Sequence, residues 1–170
     1  MSQALITIRR ALPSDAEHIA AVHDAAWREA YRGLIPGREL ERLVARRGPD
    51  WWRRAVRQGS RILVLSLHDR MGGYVSYGRN RAPALDYEGE IFELYLAPEY
   101  QGLGFGRRLF QSGRDDLAVN GLERVLVWSL ADNQRAIDFY RRLGGQEIRR
   151  ASELFAGERL GRIAFGFSAT

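Results

Sequence analysis

The chain has 170 residues, 45% of them apolar and 28% charged, with a formal net charge of +5 and no cysteine. That size and balance fit one globular domain with its own core, and the missing thiols exclude disulfides, thiolate metal sites, iron–sulfur clusters and cysteine nucleophiles together. All 26 basic residues are arginine and they recur along the whole chain instead of forming a basic arm, so the charge marks no nucleic-acid surface.

The first apolar run is too short for a signal peptide and no later stretch approaches a membrane span, so a cytoplasmic protein without membrane contact is expected. His18 and His23 are five apart, one position off the spacing that puts two imidazoles on one helical face. With His68 they make no metal-ligand pattern, and no metal is expected. No repeat, low-complexity block or linker divides the chain, and residues 1–170 are expected to form a single domain.

"LITIRRA" reads as a first strand, followed by Ser14 as N-cap with Glu17 three residues on, a capping box opening a helix. Ile19, Val22, Ala26 and Ala30 hold the helical period until "RGLIPG" stops it. A second helical stretch is interrupted at Gly48 and Pro49, and Trp51 and Trp52 in it read as packing residues. "RILVLSL" and "GGYVSYGR" form a hairpin. A polar loop then leads to the strand "EIFELYLA", which Pro98 ends. Leu109, Phe110, Gly113 and Leu117 mark one face of the next helix, and "RVLVWSL" is an almost continuous apolar strand, as expected where both faces are covered. Asp132 or Asn133 caps a short helix that ends at Gly144 or Gly145, and two strands close the chain. The pattern is mixed α/β, with one strand–helix–strand crossover.

"QGLGFG", residues 101–106, sits between a strand and a helix. Glycines there let the main chain approach a ligand, and the first N–H groups of the helix, which have no partners within it, attract anions. A Walker A loop needs a lysine, and the chain has none. The dinucleotide fingerprint also fails, because its last glycine would fall on Arg107 or Leu109.

What remains has the form Q-x-x-G-x-G, and residues 90–110 resemble the coenzyme A pyrophosphate loop of the GCN5-related N-acetyltransferase (GNAT) family. "NQRAIDFYRRLGG", residues 133–145, resembles the later helix of that family. The order of elements matches along nearly the whole chain, and "AWREAYRGLIP" looks like the family's first-helix region, on the acceptor side. The resemblance implies a mixed central sheet of about six to seven strands flanked by about four helices. In it, the parallel strands at residues 91–96 and 124–129 splay to admit acetyl-CoA as co-substrate. It implies backbone contacts from Leu94, Tyr95 and Leu96 to the pantetheine arm, with the Leu94 N–H polarising the thioester carbonyl. Gln101, Gly102, Leu103, Gly104, Phe105, Gly106 and Arg107 would receive the pyrophosphate; Asn133, Ala136 and Tyr140 would face the arm.

The chain has no convincing nucleophile-and-base pair, so an amine acceptor is expected to attack the thioester directly. Deprotonating an alkylamine at pH 7 costs about 4 to 5 kcal/mol, which calls for a base or a desolvating pocket. Glu90 and Glu93 are the candidates, pointing to opposite faces unless a bulge intervenes, and Tyr140 would protonate the departing thiolate. Trp27, Tyr31, the 79–88 loop and Phe155 are expected to wall the acceptor pocket, with Asp86, Glu88, Glu90 and Glu93 suiting a cationic small-molecule or peptide amine. A non-catalytic acyl-CoA-binding module is the alternative on the same fold, and a homodimer is compatible with the family.

Overall fold

The computed structural model describes residues 5–169. Its strands form one seven-stranded sheet in the order β1-β2-β3-β4-β5-β7-β6. The strands are β1 (Ile6–Arg10), β2 (Arg61–Leu67), β3 (Arg70–Arg79), β4 (Gly89–Leu96), β5 (Val125–Leu130), β6 (Gln146–Phe155) and β7 (Glu158–Phe167). Five helices accompany them: α1 (Ala16–Tyr31), α2 (Gly37–Arg46), α3 (Pro49–Arg57), α4 (Phe105–Val119) and α5 (Gln134–Arg142). Every strand pair is antiparallel except β4 with β5, the pair joined through α4, where a parallel neighbour requires a long crossover. Among the described residues no helix is long and apolar enough to cross a membrane.

The two faces of the sheet have separate cores, as alternation along the central strands demands. Leu63, Leu65, Val75, Tyr77 and Ile91 pack against Leu109, Phe110 and Leu117 of α4. Ile62, Val64 and Tyr74 pack on the opposite side against Ile19 and Val22 of α1 and Trp52 of α3. Gly113 permits the close approach of α4, because a Cβ there would lie 3.3 Å from Ile91.

The opening of α1 differs from the expected capping box. A short 3-10 turn, Pro13–Asp15, comes first, and Asp15 is the working side chain. It accepts the Leu12 N–H at 2.7 Å and both arms of Arg9 at 2.8 and 3.0 Å. A carboxylate that bonds a main-chain donor and a guanidinium together outcompetes a serine hydroxyl.

Candidate active site

The site begins where the sheet comes apart. β4 and β5 pair only through Gly89, Glu90 and Ile91 with Val125, Leu126 and Val127. From Phe92 onward β4 keeps β3 on one side, and its β5-facing main-chain groups have no sheet partner. Such groups need partners from elsewhere. The strands part at their C-terminal ends, the end where α4 and α5 start, and a cleft of about 1240 Å³ occupies the opening.

Below the opening, Gly102 and Gly104 both adopt left-handed φ, +76° and +83°, and Gly104 caps α4. A side chain would be strained at either position. The turn they form aims the first N–H groups of α4 at the cleft, whose lining includes Gly102, Gly104, Gly106 and Arg107. The side chains of the turn are disposed in different ways. Leu103 points to solvent, Phe105 is buried against Tyr100, and neither lines the cleft. Gln101 lines it, but its side chain donates to the Leu96 carbonyl at 3.0 Å and its own N–H to Pro98. It is a brace that fastens the turn to the end of β4.

On the opposite bank, Asn133 caps α5 by accepting the Ala136 N–H at 3.1 Å. Ala136, Phe139 and Tyr140 line the cleft from this helix. Tyr140 is nearly buried among Phe110, Phe139 and Phe165, and burial raises the pKa of its phenol well above the usual range. It therefore stays protonated at any physiological pH.

Glu90 and Glu93 meet in the same cleft. β3 pairs Ser76 with Glu93 but the next residue, Tyr77, with Ile91. Phe92 is thus an extra residue, a bulge, and it cancels the alternation that would have turned the two carboxylates apart. Each is held by an arginine. Arg47 grips Glu93 with two bonds of 2.9 and 2.7 Å. Arg81 holds Glu90 with its backbone N–H at 2.9 Å and its guanidinium at 2.8 Å. The Arg47 guanidinium lies over Trp51 and Trp52, 4.3 and 4.6 Å from their ring centroids. Trp52 is a core residue, yet the pair has a second task the sequence did not disclose, fixing the cation that fixes Glu93.

Behind Glu93 lies His23, fully buried, its Nε2 3.8 Å from the carboxylate. Burial, and then the charge of Arg47, pushes its pKa down to about 3, so the ring is neutral. Among the described residues neither ring nitrogen has a hydrogen-bond partner, and the same is true of Trp27 Nε1, Trp52 Nε1, the Tyr74 hydroxyl and Ser76 Oγ nearby.

The acceptor wall is aromatic. Trp27 and Tyr31 of α1 meet Phe155 at the end of β6, with ring centroids 4.8 to 6.2 Å apart. Asp86, expected on this wall, is elsewhere. It pairs with Arg124 at 2.9 Å, as does Glu88 at 3.3 Å, where β4 and β5 begin. That is the paired end of the two strands, away from the opening. Among the described residues no cluster of His, Asp and Glu is arranged to hold a metal ion.

The family model for the acetyltransferase (GNAT) family matches residues 19–145. The chain belongs to that family. The uncharacterized N-acetyltransferase YuaI of Bacillus subtilis is 30% identical to this GNAT chain over 166 residues, which is 96% of this chain and 93% of that protein. The mycothiol acetyltransferase of Pseudarthrobacter chlorophenolicus is 36% identical over 110 residues; the match covers 60% of this chain and 31% of that longer enzyme. Among solved structures, PaiA N-acetyltransferase from Thermoplasma acidophilum in complex with coenzyme A shares the fold at a TM-score of 0.75 and 17% identity. The alignment spans 98% of this chain and 100% of that one. Membership of this family, with the near full-length match to YuaI, makes the chain an N-acetyltransferase.

Proposed function

We propose that this GNAT chain moves an acetyl group from acetyl-CoA directly onto a primary amine. One observation carries the reading: the unpaired stretch of β4 ends above the glycine turn of α4, and Glu93 and Tyr140 face the same cleft. The residues fit such a co-substrate. Gly102 and Gly104 have open space beside them, the helix start favours a diphosphate, and the free edge of β4 offers main-chain partners to a chain of amides. PaiA supports the choice, since its solved structure holds coenzyme A.

Acetyl-CoA supplies the acyl group as a thioester. The first N–H groups of α4 hold its diphosphate, and β4 main-chain groups from Leu94 to Leu96 orient its arm. The Leu94 N–H stabilises negative charge as it develops on the carbonyl oxygen. Glu93 receives a proton from the incoming amine through water. Tyr140, kept protonated by burial, gives its proton to the leaving sulfur. The same reading takes residues 1–170 as one unit acting in the cytoplasm on a small-molecule or peptide amine.

Calorimetric titration with coenzyme A, joined to thiol release from acetyl-CoA with a panel of amines, tests the proposal. Heat on titration and amine-dependent thiol release are expected. Absence of both at millimolar coenzyme overturns it.

A further inference from the structure

The charge pattern of the acceptor half differs from what the count of its carboxylates suggests. Glu93 is matched by Arg47 at 2.7 Å, Glu90 by Arg81 at 2.8 Å and Glu153 by Arg162 at 2.8 Å. Glu29, at the rim, has Arg135 at 3.8 Å. The remaining lining carboxylate, Asp132, stands beside Asn133 at the start of α5, on the half assigned to the coenzyme. Arginines outnumber carboxylates along the whole lining by seven to five. On the acceptor half, where each of these carboxylates is matched by an arginine, a ligand with several positive charges finds no uncompensated anion.

The same half offers a continuous apolar surface. Trp27, Tyr31 and Phe155 pack against one another with tilted rings, and Leu130 and Leu160 extend the wall. Centroid spacings near 5 Å leave no room for a ligand between the rings, so they act as one continuous wall and not as a cage. Glu93 lines the same cleft as this wall.

We infer that the acceptor is a singly charged amine carried on an aromatic or branched apolar group, and not a polyamine or an aminoglycoside. The amine docks toward Glu93 and the apolar group lies on the Trp27–Tyr31–Phe155 wall. This inference rests on the acetyl-transfer reading above.

The test is acetyl transfer by the full chain to matched acceptors: phenylethylamine, phenylalanine amide, spermidine and kanamycin. The two aryl monoamines are expected to exceed spermidine and kanamycin in kcat/KM by about tenfold or more, the gain a phenyl group makes on leaving water. Phe155→Ala should lower that ratio toward one through KM. Arg162→Gln, which leaves Glu153 without its partner, should raise kcat/KM for spermidine several-fold. Efficient transfer to spermidine or kanamycin in preference to the aryl amines overturns the inference while leaving the coenzyme reading standing. Titration of the same samples with coenzyme A separates the other failure: no heat and no transfer to any amine removes the underlying reading and this inference with it.

Discussion

Glu90 and Glu93 share one face of β4 because Phe92 is an extra residue opposite the Ser76–Tyr77 step of β3. Sharing a face does not make them equivalent. Both are held by an arginine through both oxygens, but Glu90 lies in the part of β4 that still pairs with β5 and is 2% exposed. Glu93 lies beyond the parting, where a substrate can approach. Glu93→Gln is therefore expected to lower kcat by about a hundredfold, in the range for loss of a general base, whereas Glu90→Gln should change kcat by less than about tenfold while lowering the melting temperature. Steady-state kinetics of both variants with one amine acceptor decide the assignment, and a larger loss in kcat for Glu90→Gln would reverse it.

Arg47 has little freedom. Its guanidinium is bonded twice to Glu93 and lies over two indoles, and removing one member of a partly buried pair leaves the other charge desolvated. Arg47→Met is expected to destabilise the fold by about 3 kcal/mol, a drop of about 6 to 12 °C in melting temperature for a chain of this size. Arg47→Lys should recover only part of this, because an ammonium cannot fork. In the double variant with Glu93→Gln the losses should be less than additive, which thermal unfolding of the four proteins measures directly.

These two ion pairs mark the boundary of what the sequence reveals. Periodicity and turn residues are local, so the hairpin of β2 and β3, the break at Gly48 and Pro49, the glycine turn and the apolar β5 were all legible. A bulge is a property of two strands together, and nothing in "EIFELYL" alone puts Phe92 out of register. Likewise Arg47 finds Glu93 across 46 residues and Arg124 takes Asp86 across 38. With arginines spread through the whole chain, no local signal tells which one lands beside which carboxylate. That is why four acidic residues read as an anionic pocket, while the folded site is nearly neutral.

The glycine turn separates two kinds of requirement. At Gly104 the backbone is left-handed and a Cβ would touch nothing, so the cost of alanine is conformational, about 1 kcal/mol or slightly more. The strain falls on the turn that aims the first N–H groups of α4. Gly104→Ala is expected to weaken coenzyme A binding several-fold with a small change in melting temperature. At Gly106 the main-chain conformation is ordinary, but a Cβ would lie 3.2 Å from the Phe139 ring. Gly106→Ala should instead push α4 from α5, lowering the melting temperature more than the affinity. Calorimetry and thermal unfolding on the two variants separate these effects.

His23 makes the stability of the fold depend on pH in a predictable direction. Its folded pKa, about 3, lies below the value of 6.5 for a free imidazole. Between those values the unfolded chain binds a proton that the native ring refuses. Stability is then undiminished above about pH 6.5 and falls as the pH drops toward 3, with a limiting slope of about 1.4 kcal/mol per pH unit. From pH 7 to pH 5 this one residue should cost about 2 kcal/mol. A neutral replacement, His23→Leu, removes that dependence, and both ring nitrogens are already without partners among the described residues, so no hydrogen bond to these is lost with it. The comparison to make is urea unfolding of the two proteins at both pH values. The stability difference should move by about 2 kcal/mol in favour of His23→Leu on acidification; a difference that stays constant would show that the buried ring takes up a proton as readily as a free one.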